Sequence, residues 1–266
     1  MKIFESISEY QLWRKTLPVD LTVGFVPTMG ALHEGHTQLL ELSRQEMDLT
    51  VLSIFVNPTQ FNQMDDFEKY PQTLESDLKL AESRGVDAVF LPRKEEIYPD
   101  GYNYQVVERR DSKILCGKFR PGHFEGMLTI VLKLFQITQP HQAFFGEKDY
   151  QQYHLIKEMV SALFLPLVIT PVATVRESSG LALSSRNLRL SIEGRARAGS
   201  IYKLLTTVSQ IEDIEKKLIE EGFQVEYVED HFDRRFVAAW LEGIRLIDNI
   251  PLTQTPGFSR SVGEIL

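Results

Sequence analysis

Apolar and polar residues alternate along the first two-thirds of the chain in a way that predicts strands and helices in turn. Short, largely apolar runs predict buried strands at residues 21–26, 50–56, 87–91, 142–145 and 167–170. Between them apolar residues recur at helical spacing, as in Leu74, Leu78 and Ala81. Apolar strands separated by helices are typical of a parallel sheet covered on both faces. The pattern therefore predicts an α/β fold with a Rossmann-like, doubly wound parallel sheet.

The pattern changes after about residue 176. Two stretches with helical periodicity are followed by three short runs with the character of strands: 191–209, 211–221, 224–228, 236–240 and 245–247. We therefore predict a Rossmann-like domain at residues 1–176 and a small α+β lid domain at 177–266. The polar stretch Glu177-Ser-Ser-Gly180 is suited to a flexible hinge between them. Residues 253–266 show no clear pattern and are predicted to form a loose tail.

Composition and charge narrow the classes of function. A net charge of −8 argues against a nucleic-acid-binding surface, which needs a basic stripe, but leaves room for a small phosphate ligand. No apolar run approaches the length of about 18 residues that spans a bilayer, so we expect no membrane association. The single cysteine, Cys116, cannot form an internal disulfide bond, and a cytoplasmic location is the simplest expectation.

The segment Pro27-Thr-Met-Gly-Ala-Leu-His-Glu-Gly-His36 lies where a predicted strand meets a predicted helix. The start of a helix offers unpaired N–H groups and the positive end of the helix dipole, which together favour an anion. Gly30 and Gly35 permit close backbone approach, and the imidazoles of His33 and His36 can each donate to a phosphate. This segment predicts a nucleotide phosphate site.

Two further motifs carry groups suited to phosphates. Gly146-Glu-Lys-Asp149 follows the strand that ends at Phe145, and its lysine can neutralise phosphate charge. Leu183-Ser-Ser-Arg186 follows the predicted hinge and offers two hydroxyls beside a guanidinium. Taken alone, the first is an everyday helix N-terminus and the second a solvated loop. The patterns of the Walker P-loop and of the Gly-x-Gly-x-x-Gly loop are absent, so the nucleotide must be bound in another way.

Amide and carboxylate side chains suggest the second half of a site. Gln60 follows the second predicted strand and Gln152 opens a helix, so both could hold an oxygen-rich acid, although surface glutamines are also common. A single cysteine and the lack of a third clustered histidine argue against zinc. Magnesium brought in with ATP is more plausible, held mainly by phosphates and by one carboxylate such as Asp77.

Together, these motifs resemble the pantothenate synthetase (pantoate–β-alanine ligase) family of the His-x-Gly-His nucleotidyltransferase and class I aminoacyl-tRNA synthetase superfamily. The resemblance covers blocks in the family's order across residues 23–190: Phe25–His36, Ser53–Phe61, Arg120–Phe124, Phe145–Gln152, Val175–Glu177 and Gly180–Asn187. It implies ATP-dependent condensation of (R)-pantoate with β-alanine through a pantoyl adenylate, releasing AMP and pyrophosphate. It also implies a homodimer formed through the larger domain.

The resemblance further implies roles for individual residues. His33, His36, Lys148 and Arg186 would be catalytic, with His36 as the family's proposed proton donor, and Gln60 and Gln152 would hold pantoate. Gln60 would also lie near β-alanine. The implied ATP site comprises Met29, Gly30, Ala31, Leu32, His33, Glu34, Gly35, His36, Gly146, Glu147, Lys148, Asp149, Val175, Leu183, Ser184, Ser185 and Arg186. Ser76 stands where some members have a carboxylate, which bears on the magnesium role of the neighbouring Asp77.

Two other functions are compatible with part of this pattern. A nucleotidylyltransferase would use the same phosphate site but transfer AMP or CMP to a phosphate-bearing acceptor. Gln60 and Gln152, in place of a second basic pocket, weigh against it. A catalytically silent nucleotide-binding module would not need His33, His36 and Lys148 together.

Overall fold

The computed structural model describes residues 1–62 and 64–256, except for the side chains of Met64 and Asp65. It divides into two compact units, Met1–Ala173 and Thr174–Leu266, so the division falls three residues before the predicted boundary. Most of the predicted tail, residues 257–266, lies outside the described residues. In the part of the chain that is described, no helix is long and apolar enough to cross a bilayer.

The first unit is a six-stranded parallel sheet with helices. Its strands are β1 (Lys2–Phe4), β2 (Val23–Thr28), β3 (Leu49–Ile54), β4 (Ala88–Phe90), β5 (Gln142–Gly146) and β6 (Val168–Val172), in the spatial order β1-β4-β3-β2-β5-β6. Its helices are α1 (Ile7–Thr16), α2 (Glu34–Glu46), α3 (Met64–Glu68), α4 (Leu74–Ser83), α5 (Lys94–Ile97), α6 (Cys116–Phe119), α7 (His123–Thr138) and α8 (Tyr150–Ala162). Every pairing in this sheet is parallel.

The central strands are apolar along their length because both faces of the sheet are covered. Phe25 of β2, Leu52 of β3 and Phe90 of β4 are fully buried. Helix α2 packs against β2 and β3 through Leu40, which is also fully buried. The predicted parallel α/β architecture is confirmed.

The second unit is the predicted smaller α+β domain. Its elements are α9 (Ile192–Ala198), α10 (Ser200–Thr207), α11 (Ile211–Glu220), β7 (Gln224–His231), β8 (Arg234–Leu241) and β9 (Ile244–Pro251). The three strands form an antiparallel sheet with β8 at its centre. Helices α10 and α11 cover it through buried residues such as Leu205, Ile214 and Leu218. The single predicted helix at 191–209 is divided at Gly199, where an added Cβ would lie 2.6 Å from the carbonyl oxygen of Ser179.

Sequence patterning missed the first two elements, β1 and α1. Strand β1 has three residues at the sheet edge, two of them exposed, so it lacks the apolar run of a buried strand. Helix α1 buries one residue, Tyr10, and leaves Leu12 largely exposed, which weakens its periodicity.

Candidate active site

Three of the predicted motifs follow adjacent strands of the parallel sheet. Strand β2 lies between β3 and β5. Strand β2 leads into the His33–His36 segment, β3 into the Gln60 turn, and β5 into the Lys148 motif. The carboxyl ends of parallel strands meet at one edge of the sheet, which is where ligands bind in open α/β sheets. The topology therefore brings the predicted phosphate-binding and acid-binding groups of the first unit together.

A buried carboxylate fixes the loop between β2 and α2. Gly30 and Ala31 both have positive φ, at +80° and +51°, so the chain turns sharply here and directs two N–H groups to one side. The amides of Ala31 and Leu32 donate to Asp77 Oδ2 and Oδ1, at 2.9 and 2.8 Å. The hydroxyl of Thr73 lies 3.1 Å from both carboxylate oxygens. Asp77, in the first turn of α4, is thus the anchor of this loop.

These contacts do not support the predicted magnesium role of Asp77. The carboxylate is only 3% exposed, each of its oxygens accepts from one loop amide, and the Thr73 hydroxyl lies within hydrogen-bond distance of both. Among the described residues, no group of three or more His, Cys, Asp or Glu side chains could hold a metal ion. The residues present therefore do not fit a magnesium ion bound at Asp77.

His33 and His36 cap the start of α2 with their own rings. His33 is the N-cap, and its Nδ1 accepts from the Gly35 amide at 3.1 Å. His36 Nδ1 accepts from the His33 amide at 3.2 Å. Because each Nδ1 serves as an acceptor, a neutral ring must carry its proton on Nε2. A side chain at position 35 would lie 2.9 Å from the His33 ring, which accounts for Gly35.

Both imidazoles are held in the neutral state. Burial, with a smaller contribution from the charge of Lys148, lowers the pKa of His33 to about 4. Burial also lowers the pKa of His36 to about 3, assisted by His33 and Lys148. The two ring centroids are 4.1 Å apart, so two charged rings would repel each other strongly. Near neutral pH the pair therefore presents two N–H donors without a net charge.

Lys148 lies in the turn that joins β5 to α8. The turn Glu147–Asp149 places the largely buried lysine 3.6 Å from the carboxylate of Asp149. Its charge acts on both histidines, so the predicted lysine and the predicted histidine pair belong to one cluster. A cation beside two neutral donors is an arrangement suited to phosphate oxygens.

Gln60 ends the short turn Pro58–Gln60 after β3. Its Nε2 lies 3.2 Å from the sulfur of Met29, which places it beside the β2–α2 loop. Asn57 Nδ2 donates to Gln60 Oε1 at 3.0 Å. Asn57 is not among the site residues predicted from the sequence. The missed signal was its position, three residues before a candidate glutamine on the same turn.

The backbone of Gln60 is also held in place. Its carbonyl oxygen accepts from His123 Nδ1 at 2.8 Å and from the guanidinium of Arg120 at 3.3 Å. Helix α7 approaches this turn so closely that a Cβ at Gly126 would lie 2.3 Å from the carbonyl oxygen of Thr59. It would also lie 2.8 Å from the Gln60 amide nitrogen. Gly126 therefore sets the position of the turn.

Gly126→Ala is expected to displace the Gln60 turn, because the new methyl group meets backbone atoms that have little room to move. We expect the Michaelis constant for the acid substrate to rise by roughly tenfold, with a smaller change for ATP. Gln136→Ala is the control, since Gln136 is an exposed residue of the same helix and has no assigned role in the site. Steady-state kinetics on both variants measures this Michaelis constant. An equal Michaelis constant for the acid substrate in wild type and Gly126→Ala would contradict the prediction.

The two neighbouring glutamines of α8 have different surroundings. Gln151 is buried and structural: it accepts from the Cys116 amide and donates to the carbonyl oxygens of Asp111 and Ile114. Gln152 is half-buried, and no hydrogen bond among the described residues joins it to Gln60. The predicted role of Gln152 stays a prediction.

The predicted motif Leu183-Ser-Ser-Arg186 lies in the second unit and is held by hydrogen bonds within that unit. Leu183 donates from its amide to the carbonyl oxygen of Val175 at 3.0 Å, so these two predicted ATP-site residues lie side by side. The side chain of Ser184 accepts from the Arg186 amide and caps the turn Ser185–Arg189. Ser185 is buried. Hydrogen bonds and burial therefore order the segment 183–186, which is not the solvated loop that its composition alone would suggest.

The predicted flexible hinge at residues 177–180 is instead a tight hairpin turn. Arg176 and Ala182 pair as an antiparallel bridge, and the Gly180 amide donates to the carbonyl oxygen of Glu177. The Arg176 guanidinium makes two hydrogen bonds, of 2.6 and 2.9 Å, to Asp248 and stacks on Tyr202. Hydrogen bonds order this polar stretch, which its composition alone does not reveal.

Comparisons with known proteins agree on one family. The family model for pantoate–β-alanine ligases matches residues 2–251. A pantothenate synthetase of Bdellovibrio bacteriovorus is 52% identical over 251 residues, covering 94% of this chain and 99% of its own. A pantothenate synthetase of Coxiella burnetii is 46% identical over 253 residues, covering 95% and 98%.

Solved structures give the same result. The pantoate–β-alanine ligase of Francisella tularensis, complexed with βγ-ATP and β-alanine, has a TM-score of 0.92 and 41% identity, covering 97% of this chain and all of its own. The pantothenate synthetase of Thermus thermophilus has a TM-score of 0.88 and 39% identity, covering 95% and 99%. The fold, the cluster of His33, His36 and Lys148, and these matches lead to one conclusion: the chain belongs to the pantoate–β-alanine ligase family.

Proposed function

We propose that this protein condenses (R)-pantoate with β-alanine at the expense of ATP, forming pantothenate, AMP and pyrophosphate through a pantoyl adenylate. The observation that carries the proposal is one cluster at the sheet edge: two neutral histidines, Lys148 and the braced Gln60. The family membership and the ATP and β-alanine held by the Francisella relative support it.

The chemistry proceeds in two steps. A carboxylate oxygen of pantoate attacks the α-phosphorus of ATP, and the bond to the β-phosphate oxygen breaks to release pyrophosphate. The amine of β-alanine then attacks the acyl carbon of the adenylate, loses a proton, and AMP leaves. Adenylation is needed because a free carboxylate has no good leaving group.

Negative charge gathers on phosphate oxygens in the first transition state, so fixed donors and cations supply most of the catalysis. The Nε2–H groups of His33 and His36 would donate to these oxygens, and Lys148 would neutralise their charge. Since His36 is neutral, we assign it hydrogen-bond donation rather than the transfer of a proton. Arg186 of the second unit is a further proposed phosphate-binding cation.

The remaining assignments follow the family resemblance. Residues 29–36, residues 146–149, Val175 and residues 183–186 would bind ATP. Gln60 and Gln152 would hold pantoate, and Gln60 would also lie near β-alanine. Magnesium would enter with ATP and neutralise phosphate charge, held by the phosphates rather than by Asp77. A cytoplasmic location and a homodimer are also proposed, from the single cysteine and from the resemblance respectively.

The lowered pKa values predict an unusual pH dependence. Neutral histidines remain donors well below their ordinary pKa of 6.5, so kcat/KM for ATP should show no acid limb from them between about pH 8 and pH 5.5. Stability behaves differently. The unfolded chain binds protons at these histidines below pH 6.5 while the folded chain does not, so stability falls as pH drops from 6.5 toward 4.

Denaturant unfolding of wild type and His36→Gln at about pH 7.5 and about pH 5 measures this effect. The loss of unfolding free energy between the two conditions should be about 2 kcal/mol smaller in the variant, since one depressed pKa is removed. Identical losses in the two proteins would contradict a neutral His36.

An omission assay tests the function itself. The protein is incubated with ATP, magnesium, pantoate and β-alanine, and AMP and pantothenate are measured with each component left out in turn. We expect pantothenate only in the complete mixture, and sustained AMP formation only when pantoate is present. Sustained AMP formation without either acid would exclude the ligase. Transfer of AMP to a phosphate-bearing acceptor would indicate a nucleotidylyltransferase instead.

A further inference from the structure

We infer that Tyr98 is a positioning residue for the acid substrate: through Asn57 it fixes the Gln60 amide so that the NH₂ group faces the substrate. This inference rests on the proposed function, in which Gln60 holds pantoate. It concerns one side-chain orientation, which the hydrogen bonds around Asn57 determine.

The orientation of Asn57 follows from a carbonyl group. Asn57 is 1% exposed, and its Nδ2 lies 3.2 Å from the carbonyl oxygen of Gly126. A carbonyl oxygen can only accept, so the amide nitrogen of Asn57 must be on that side. Its Oδ1 then faces two hydroxyl donors, Tyr98 at 2.7 Å and Thr59 at 3.1 Å. Tyr98 makes the shorter of the two bonds.

The orientation of Gln60 follows from that of Asn57. The Nδ2 group of Asn57 also donates to Gln60 Oε1 at 3.0 Å. The reversed Gln60 amide would place two NH₂ groups against each other, which leaves a buried donor without an acceptor. Gln60 Nε2 therefore lies on the side of Met29, at 3.2 Å from its sulfur. A thioether is a weak acceptor, so a carboxylate or hydroxyl oxygen of an acid would readily take its place.

The hydroxyl of Tyr98 stays protonated and therefore remains a hydrogen-bond donor. Tyr98 is 6% exposed, and burial raises the pKa of its hydroxyl to about 12. Its ring packs edge-on against Tyr102 at 5.3 Å and under the ammonium of Lys133 at 5.1 Å. Because His123 and Arg120 hold the Gln60 backbone independently, loss of the Tyr98 hydroxyl should loosen the side-chain amide and leave the turn in place.

Tyr98→Phe tests the inference by removing one oxygen atom. We expect the Michaelis constant for pantoate to rise about three- to tenfold, with kcat and the constant for ATP within about twofold of wild type. The matched control is Tyr10→Phe, which removes another buried hydroxyl, 3.4 Å from the carbonyl oxygen of Thr138 in the same unit. The control should leave the constant for pantoate unchanged.

A second background separates positioning from general structure. When Tyr98→Phe is added to Gln60→Ala, the Michaelis constant for pantoate should not change further, because the Gln60 amide through which Tyr98 acts is gone. The same fold-change in both backgrounds would overturn the inference, as would an unchanged constant in Tyr98→Phe itself.

A ligand-free measurement decides the question even if the omission assay rejects the proposed function. The side-chain NH₂ resonance of Gln60 is identified in a ¹⁵N-labelled sample by its loss in Gln60→Ala. It should shift in Tyr98→Phe and stay in place in Tyr10→Phe. An unshifted resonance in Tyr98→Phe would overturn the claim that Tyr98 sets this amide.

Discussion

Replacing His36 with alanine is expected to lower the rate of pantoyl-adenylate formation by about 10²-fold or more, and Lys148→Ala should have a similar effect. Each change removes a fixed donor or cation from the phosphate cluster at the moment when negative charge accumulates. Loss of one such group typically raises the barrier by about 3–4 kcal/mol. Pantoate-dependent exchange of labelled pyrophosphate into ATP, measured without β-alanine, isolates this step.

Two controls sharpen the interpretation of His36. His36→Gln retains an amide N–H near the position of Nε2, so it should recover part of the rate that alanine loses. A proton-transfer role would give equal losses in both variants. His231→Ala removes a histidine of the second unit that pairs with Glu229, and should leave the exchange rate unchanged. Wild-type exchange in His36→Ala or in Lys148→Ala would remove that residue from the catalytic set.

Asp77→Ala is expected to lower kcat/KM for ATP by about 10²-fold, although Asp77 is assigned to the loop and not to the substrates. The change leaves the amides of Ala31 and Leu32 without their acceptor in a buried place. Hydrogen bonds to a charged group are worth about 1.5–3 kcal/mol each, and the loop that carries His33 depends on both. Steady-state kinetics with ATP varied measures the loss, and thermal unfolding should show a lower midpoint.

The same variant separates a loop anchor from a metal ligand. If Asp77 bound magnesium, excess magnesium would restore much of the activity of Asp77→Ala or Asp77→Asn. We expect no restoration, because the defect lies in the backbone of the loop. Glu75→Gln is the control on the same helix, since Glu75 is exposed and pairs only with Lys79 among its described contacts. Recovery of Asp77→Ala at high magnesium would contradict the anchor.

Most of the fold could be predicted because the buried strands of a parallel sheet are continuously apolar. The runs around Phe25, Val51 and Val89 carry that signal directly. Strand β1 has no such signal, since it gains its place only by pairing with β4. Composition alone predicts a hinge at residues 177–180, because the order of this hairpin comes from distant partners of Arg176, namely Asp248 and Tyr202.

The candidate site divides in the same way. Motifs that follow strands could be placed at one sheet edge from the sequence, as with His33, His36 and Lys148. The role of Asp77 in holding the loop could not be predicted, because 45 or more positions separate Asp77 from the loop amides that donate to it. The protonation state of His36 was equally hidden, since it depends on burial and on the nearby Lys148. Tertiary contacts decide such roles, and local patterns do not contain them.

The central claim is that this cluster activates an acid by transferring AMP to its carboxylate. The most direct test uses pantoate labelled with ¹⁸O in both carboxylate oxygens, incubated with the protein, ATP, magnesium and β-alanine. Attack on the α-phosphorus followed by amide formation must leave one labelled oxygen in AMP and one in pantothenate. Mass spectrometry should find a single ¹⁸O in AMP and none in pyrophosphate. Unlabelled AMP, or label in a released phosphate, would contradict the account.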